Sequence, residues 1–377
     1  MSLSSIQDFL SPINLAQISL DEGYRDTQLG KHIKVNEGNL PDISQADIVI
    51  IGAGECRGAG FALNGHVAAN AVRTALYNLY YWHAQVTIAD LGNVKIGQSI
   101  QDSYAALRTV ISELLLQNKK IVIIGGSHDL TLAQYHAYTS IPTLVNAAVV
   151  DAKIDLDLEA RLPSDHFLEE LFTGLPNHLN HYCHIGFQSY FMHPHMLETI
   201  DKLRFDCYRL GKVREGIEEM EPAIRDSHIL SFDISAIQNA QAPANLITPN
   251  GFNGEEACVL MQYAGMSWKT STIGLFGYQA ELDVHGMTAV QMAQMIWYII
   301  DGVQKGKKEA PISDTDRFKE FHIAFSDIET NFLQSKSTGR WWMQLHNNEW
   351  SPCSYKDYLV ASNNEIPERW LRALERE

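Results

Sequence analysis

Three stretches of the sequence carry side chains that could hold a divalent cation. In the first, an apolar run leads into Val149-Val-Asp-Ala-Lys-Ile-Asp155, with Asp151, Lys153 and Asp155 at alternate positions. Alternate residues of an extended strand lie on one face, so these three side chains are predicted to point the same way. A solvated strand end would carry similar charges, and this stretch alone leaves that interpretation open.

The other two stretches end in the same kind of residue. Residues 121–128 read Ile-Val-Ile-Ile-Gly-Gly-Ser-His, and residues 228–235 read His-Ile-Leu-Ser-Phe-Asp-Ile-Ser. Ligands of parallel α/β sheets bind outside the carboxyl ends of the strands, so one convergent site is predicted. One imidazole and three carboxylates suit a hard to borderline divalent cation such as manganese. The predicted metal ligands are His128, Asp151, Asp155 and Asp233.

The elements that must position these residues alternate between strands and helices. Strands are predicted at 46–51, 86–90, 144–150 and 271–281, and helices at 99–118, 130–138, 255–266 and 290–303. This alternation indicates a doubly wound, mainly parallel sheet in a three-layer α/β/α arrangement. Residues 1–46 are predicted to be an N-terminal extension, and residues 311–377 a tryptophan-rich appended segment with a structural role.

Composition narrows the function classes. A chain of 377 residues can bury a large core. Its net charge of −16 argues against nucleic acid or an anionic membrane as the main partner. The five scattered cysteines indicate reduced thiols and a cytoplasmic location. The N-terminus is unlike a signal peptide, and no apolar run approaches the ~18 residues of a membrane span.

With these three stretches in this order, the sequence resembles the ureohydrolase family of arginase, agmatinase and formimidoylglutamase. The family pattern is Gly-Gly-x-His, then Asp-Ala-His-x-Asp, then Ser-x-Asp-x-Asp; here the matching stretches begin at Gly125, Asp151 and Ser231. The resemblance covers residues 47–310. It implies an arginase-like fold, two manganese ions that generate a hydroxide to attack an amidine carbon, a small-molecule amidine substrate and a homo-oligomer.

Two departures from the family pattern affect the second metal. Lys153 stands where the family has histidine, and Ser235 stands where it has aspartate. A protonated lysine has no lone pair for a metal, and serine is a weak neutral ligand. The exchange adds two positive charges, the charge of one divalent ion. We therefore expect one metal per chain, with the Lys153 ammonium in place of the second and paired with Asp151 or Asp233.

The remaining site residues follow from the resemblance. Asp155 or Asp233 would orient the attacking water, and His166 is a candidate proton relay, although a loop histidine without a role is an alternative. Ser164 lies in the family's substrate-binding loop. The strand that ends in the guanidinium-binding glutamate of arginase-like members here has Gly277 at that place, with Glu281 downstream. Ser164 and Glu281 are the predicted substrate-binding residues.

Several other residues are assigned structural roles. Gly52 to Gly60 lack the G-x-G-x-x-G spacing of a dinucleotide site, and Arg73 is predicted to be structural. His193 and His195 are predicted to lie on the surface.

Three functions are compared. The first is a metal-dependent hydrolase that cleaves a C–N bond of a linear amidine, closer to formimidoylglutamase than to arginase because Ser127 precedes the histidine. The second is a non-catalytic descendant with one metal or none and a structural or regulatory role. A zinc deacetylase of similar fold is disfavoured because Lys153 fills the pocket in which such a metal would bind.

Overall fold

The computed structural model describes residues 3–19, 23–63, 66–325 and 328–375. These residues form two sheets. The strands are β1 Leu10–Ser11, β2 Lys34–Val35, β3 Ile48–Ala53, β4 Ile88–Val94, β5 Lys120–Ile124, β6 Val145–Val150, β7 Leu179–Phe187, β8 Asp206–Arg209, β9 Ile229–Asp233, β10 Thr272–Phe276, β11 Phe318–Phe325, β12 Ile328–Ser335, β13 Trp341–Gln344 and β14 Trp350–Cys353.

Helices connect the strands, and several begin at side-chain caps. Ser99, Asn253 and Ser354 each form a capping box with the acidic residue three positions later. None of the described helices is both long and apolar enough to span a membrane. The helices are α1 Leu15–Ile18, α2 Val67–Tyr77, α3 Ile100–Leu116, α4 Thr131–His136, α5 Pro163–Thr173, α6 Pro194–Lys202, α7 Leu210–Glu215, α8 Glu221–Arg225, α9 Gly254–Met266, α10 Met287–Gly306, α11 Tyr355–Ser362 and α12 Glu368–Leu374.

The larger sheet has the order β1-β4-β3-β5-β10-β9-β6-β7-β8, and β2 also pairs with β4. Every pairing in it is parallel except that of β1 with β4. The consecutive strands β5 and β6 are separated by β10 and β9, so the carboxyl ends of these four strands lie side by side. Such a change in strand order is where open α/β sheets bind their ligands.

Both faces of the larger sheet are covered, because alternate strand residues pack on opposite sides. Ile48 and Ile50 belong to one buried cluster, with α2, α9 and α10. Val49 and Ile51 belong to another, with α3, α4 and α5. The predicted three-layer α/β/α fold with a mainly parallel sheet is therefore confirmed.

The terminal segments extend this fold in different ways. β1 and β2 from the N-terminal segment join the edge of the larger sheet through β4. Beyond residue 310, β11 to β14 form a separate antiparallel sheet, whose core with α11 and α12 includes Trp341 and Trp370. The Arg225 guanidinium lies 4.2 Å from the Trp342 ring centroid and attaches this sheet to α8. The boundaries at residues 46 and 310 stay predictions.

Candidate metal centre

A cavity of about 340 Å³ opens at the carboxyl ends of β5, β6, β9 and β10. Its lining includes the four predicted metal ligands, His128, Asp151, Asp155 and Asp233, together with Ser235. The three sequence motifs are thus brought to one place because their strands are parallel and close in the sheet. The predicted convergence at the strand ends therefore agrees with the topology.

His128 reaches this cavity because two glycines turn the chain after β5. Gly125 and Gly126 both have φ of +88°, a left-handed conformation that other residues rarely adopt. A Cβ atom on Gly126 would also lie only 2.9 Å from the backbone oxygen of Glu55. The tight turn leads into a short 3₁₀ turn that begins at His128 and directs its imidazole towards the neighbouring strand ends.

The His128 imidazole is the centre of the carboxylate cluster. Its Nδ1 lies 2.7 Å from Asp155 Oδ2, 3.2 Å from Asp151 Oδ2 and 3.8 Å from Asp233 Oδ2. One ligand atom from each of His128, Asp151 and Asp155 lies within 4.8 Å of the others, close enough for all three to hold one ion. Asp233, the predicted fourth ligand, lies beside this group rather than within it.

The segment from Asp151 to Asp155 differs from its prediction. β6 ends at Val150, and Asp151 Oδ1 accepts a hydrogen bond from the Lys153 backbone nitrogen at 3.2 Å, which turns the chain. The prediction that Asp151, Lys153 and Asp155 share one strand face is therefore wrong. The two carboxylates are buried against His128, whereas the Lys153 side chain is 30% exposed.

The ion pair predicted for Lys153 is also corrected. Its Nζ lies 2.6 Å from Asp165 Oδ1, rather than bonding to Asp151 or Asp233. Asp165 is in the first turn of α5, which packs across the loop that carries Lys153. Burial by itself would lower the pKa of Lys153, but Asp155 and the hydrogen bond to Asp165 hold that pKa above its usual value. Lys153 therefore stays protonated.

Ser235 occupies a position directly against the cluster. Its hydroxyl donates a short hydrogen bond to Asp151 Oδ1, and its backbone nitrogen donates to Asp233 Oδ1 at 2.7 Å. Gly277 follows β10 with φ of +79°, and a Cβ atom there would lie 2.4 Å from Asp233 Oδ2. The strand predicted to run to residue 281 therefore ends at Phe276, and the chain turns away to leave space for Asp233.

Burial and mutual repulsion shift the titration of the carboxylates. Burial raises the pKa of Asp155 well above its usual range, and the charge of Asp151 raises it further. The same two causes raise the pKa of Asp233 to about 6. Burial would raise the pKa of Asp151 too, but hydrogen bonds with His128 and Ser235 hold it below its usual range. Full ionisation of the three carboxyls would therefore need more positive charge than the surrounding side chains supply.

His128 is the cationic partner within the cluster. Burial alone would lower the pKa of this imidazole, but its contacts with Asp151 and Asp155 raise that pKa well above the usual value. Its other nitrogen, Nε2, lies 3.1 Å from Ser231 Oγ, which fixes the ring orientation. The sequence motif contains Ser231, but sequence reasoning gave it no role.

The other predicted site residues are placed differently. Ser164 lines the cavity, whereas His166 and Glu281 are absent from its described lining. His166 is on α5, and Glu281 is exposed in a 3₁₀ turn after β10. His193 and His195 are exposed, as predicted. The relay and substrate-binding roles of His166, Ser164 and Glu281 stay predictions.

Sequence reasoning missed Asp165. This residue provides the partner of Lys153 and lines the cavity beside Ser164. Its signal in the sequence was an acidic residue just after Pro163, at the predicted substrate loop and twelve positions from Lys153. Only the packing of α5 shows that the two side chains meet.

The fold and the buried cluster define an α/β protein with a metal-competent centre at the carboxyl edge of its parallel sheet. The profile described as "Arginase family" matches residues 46–301. The chain belongs to the arginase family, and the predicted resemblance is confirmed. A comparison with curated proteins finds no significant match.

Solved structures of low sequence identity share this fold. Formimidoylglutamase from Bacillus subtilis has 18% identity and a TM-score of 0.66, with 76% of this chain and 95% of that chain covered. Trypanosoma cruzi formiminoglutamase, solved with Mn²⁺, has 16% identity and a TM-score of 0.63, with coverage of 70% and 95%. Agmatine ureohydrolase of Thermoplasma volcanium has 17% identity and a TM-score of 0.60, with coverage of 76% and 98%. The family and these neighbours indicate a metal-dependent hydrolase family.

Proposed function

We propose that this chain is a hydrolase that cleaves a C–N bond of a linear amidine and uses one divalent cation, with manganese as the favoured ion. The observation that carries the proposal is the buried group of His128, Asp151 and Asp155 at the base of the cavity. Asp233 lies at its edge and provides a further carboxylate. The formimidoylglutamases among the structural neighbours support the reaction class.

The donor set fits a divalent cation. Three carboxylates crowd one imidazole in a buried place, and burial with mutual repulsion raises the pKa of two of them. A cation of charge +2 would supply the missing positive charge and favour their ionised forms. One nitrogen and several oxygens are the ligands that manganese and zinc accept. His128, Asp151, Asp155 and Asp233 would hold the ion, which would displace the proton of the His128 imidazole.

The second metal position of the family pattern is altered. Lys153 is protonated and paired with Asp165, and the Ser235 hydroxyl is bonded to Asp151. Neither side chain offers a strong ligand there, since ammonium has no lone pair and a hydroxyl is a poor metal donor. The charge exchange still supports one metal in place of two, although its lysine pairs with Asp165.

Individual residues of this chain are assigned different roles in the proposed hydrolysis. When bound, the cation would act as a Lewis acid and lower the pKa of a water molecule. Asp233 is the best placed of the three carboxylates to orient that water and accept its proton, because its side chain is 12% exposed against 2% for Asp151 and 4% for Asp155. Ser231 holds His128 in a fixed orientation. Lys153 and Asp165 form a polar wall beside the reacting group.

The alternative is a non-catalytic arginase-fold protein with one metal or none and a structural or regulatory role. The replacement of both second-site residues favours it, as does the position of Glu281 outside the described cavity lining. The two hypotheses differ in whether the chain binds metal and turns over an amidine. We also infer a cytoplasmic homo-oligomer; the five cysteines, none of which forms a disulfide in the described structure, support a reducing compartment.

Metal content per chain tests the proposal. The purified protein is incubated with Mn²⁺ or Zn²⁺, desalted and analysed for metal. We expect one equivalent in the wild type and in His195→Ala, a control at a histidine whose side chain is 77% exposed, and none in His128→Ala. The Lys153→His/Ser235→Asp double variant should bind two.

The other outcomes are equally informative. A wild type without metal would favour the non-catalytic alternative. Two equivalents in the wild type would contradict the roles given to Lys153 and Ser235. If one equivalent binds, release of formamide and glutamate from formimidoylglutamate, and then of the tail amine from other linear amidines, decides whether the centre is catalytic.

A further inference from the structure

The mouth of the cavity is apolar, in contrast to its charged base. Four large hydrophobic side chains line the cavity and are substantially exposed: Phe61 at 41%, Leu162 at 38%, Leu246 at 67% and Ile247 at 47%. They come from three separate segments, after β3, before α5 and after β9. We call these four residues the apolar rim. Exposed hydrophobic side chains gathered around one cavity mark a binding surface.

The rim is held in place by polar contacts behind it. The Asn245 side chain donates to the backbone oxygens of Ser235, Ile237 and Thr248, and its own oxygen accepts from the backbone nitrogens of Ile247 and Thr248. This side chain is only 2% exposed and has its hydrogen-bonding capacity filled. Asn245 thus fixes the loop that presents Leu246 and Ile247 to the cavity and is not available to a ligand.

Outside the proposed metal ligands, the cationic side chain of the described cavity lining is already paired. Among the described lining residues other than the proposed ligands, Lys153 is the cationic side chain, and its Nζ lies 2.6 Å from Asp165 Oδ1. A ligand carboxylate at the apolar rim would find no unpaired cationic side chain among these lining residues and would lose its hydration without compensation. A substrate that carries an amino-acid tail is therefore disfavoured.

We propose that the apolar rim binds the tail of the substrate, and that this tail is an uncharged hydrocarbon. The inference rests on the proposed function, since it assumes that the amidine group faces His128 and the carboxylates. The rim then selects among amidines by their tails, and Phe61, Leu162, Leu246 and Ile247 are specificity-determining residues.

A series of amidines with one head group tests the inference. Manganese-loaded protein is measured with N-propyl-, N-butyl- and N-hexylformamidine and with formimidoylglutamate, by calorimetric Kd where the amidine is stable and by KM where it is hydrolysed. We expect the Kd or KM to fall about fourfold for each methylene that reaches the apolar rim. Formimidoylglutamate should bind at least tenfold more weakly than the butyl compound.

Substitutions in the apolar rim test whether these residues cause the dependence of affinity on chain length. Leu246→Ser/Ile247→Ser and, separately, Phe61→Ser should reduce the dependence on chain length. Leu203→Ser is the control, since Leu203 is 44% exposed and outside the cavity lining. The inference is overturned if formimidoylglutamate binds more tightly, if no alkyl amidine binds, or if the rim variants change the oligomeric state but not the affinity.

Different experimental outcomes would refute the proposed function and the inference about the apolar rim. Chain-length dependence without turnover would leave the rim inference standing and remove the hydrolase assignment. Turnover confined to amidines with charged tails would do the reverse.

Discussion

The buried ion pair of Arg73 and Asp90 provides the sharpest test of the prediction that Arg73 has a structural role rather than a functional one. Both side chains are 0% exposed. Arg73 donates to the two Asp90 oxygens at 2.8 Å and 3.0 Å, to Asn93 Oδ1 at 2.6 Å and to the Gly92 backbone oxygen at 2.9 Å. These bonds join α2 to the end of β4, away from the cavity lining.

Arg73→Met keeps most of the side-chain volume but removes every donor. Breaking a buried pair by removing one partner costs about 3–5 kcal/mol, because the other charge stays buried. Asp90 keeps two donors, Tyr77 Oη and the Gly92 nitrogen, each at 2.9 Å. We therefore expect a loss near the lower end, about 3 kcal/mol, which corresponds to a fall in Tm of roughly 4 °C for a chain of 377 residues.

Thermal and urea unfolding followed by circular dichroism measure this loss. Arg108→Met, at an exposed position on α3, is the matched control and should change the stability by less than about 0.5 kcal/mol. The Arg73→Met/Asp90→Asn double variant should be more stable than Arg73→Met, since residue 90 then carries an uncharged amide in place of a buried, unpaired carboxylate. The reasoning is refuted if Arg73→Met costs no more than Arg108→Met. Loss of bound metal from folded Arg73→Met would also contradict the structural role.

Two further predictions concern backbone space and pH. Gly277→Ala should lower the free energy of unfolding by about 2–4 kcal/mol and weaken metal binding, because its Cβ atom would clash with Asp233. Gly339→Ala is the control: φ there is +74° and nothing lies within 4 Å of the added Cβ atom, so the strain should cost only about 1 kcal/mol. Equal losses of the two variants in urea unfolding and metal titration would contradict the clash. Burial lowers the pKa of His228 to about 4, and its Nδ1 accepts a hydrogen bond from the Asn146 nitrogen at 3.0 Å. Between pH 6.5 and 4 the unfolded chain therefore binds the extra proton, so stability should fall by about 2 kcal/mol from pH 7 to pH 4.5. His228→Gln should remove this part of the pH dependence, and an unchanged slope in urea unfolding would show that His228 is not its source.

The sequence by itself determined the fold class and was enough to predict the candidate metal ligands. Alternating apolar runs and amphipathic segments predicted the parallel sheet, because burial on both faces requires strands that are apolar throughout. The motifs at His128, Asp151 and Asp233 predicted a site at the strand ends, since parallel strands place their carboxyl ends at one edge. Periodicity and residue type are local properties, and they were sufficient for these conclusions.

Only the tertiary structure decided which side chains meet. Lys153 pairs with Asp165 because Asp151 turns the chain after β6 and α5 packs across that loop. The apolar rim combines three segments that are distant in sequence, and Asn245 presents one of them through bonds to backbone groups. Such contacts depend on distances through space between loops, and loop conformation follows from packing and hydrogen bonding that no local pattern encodes.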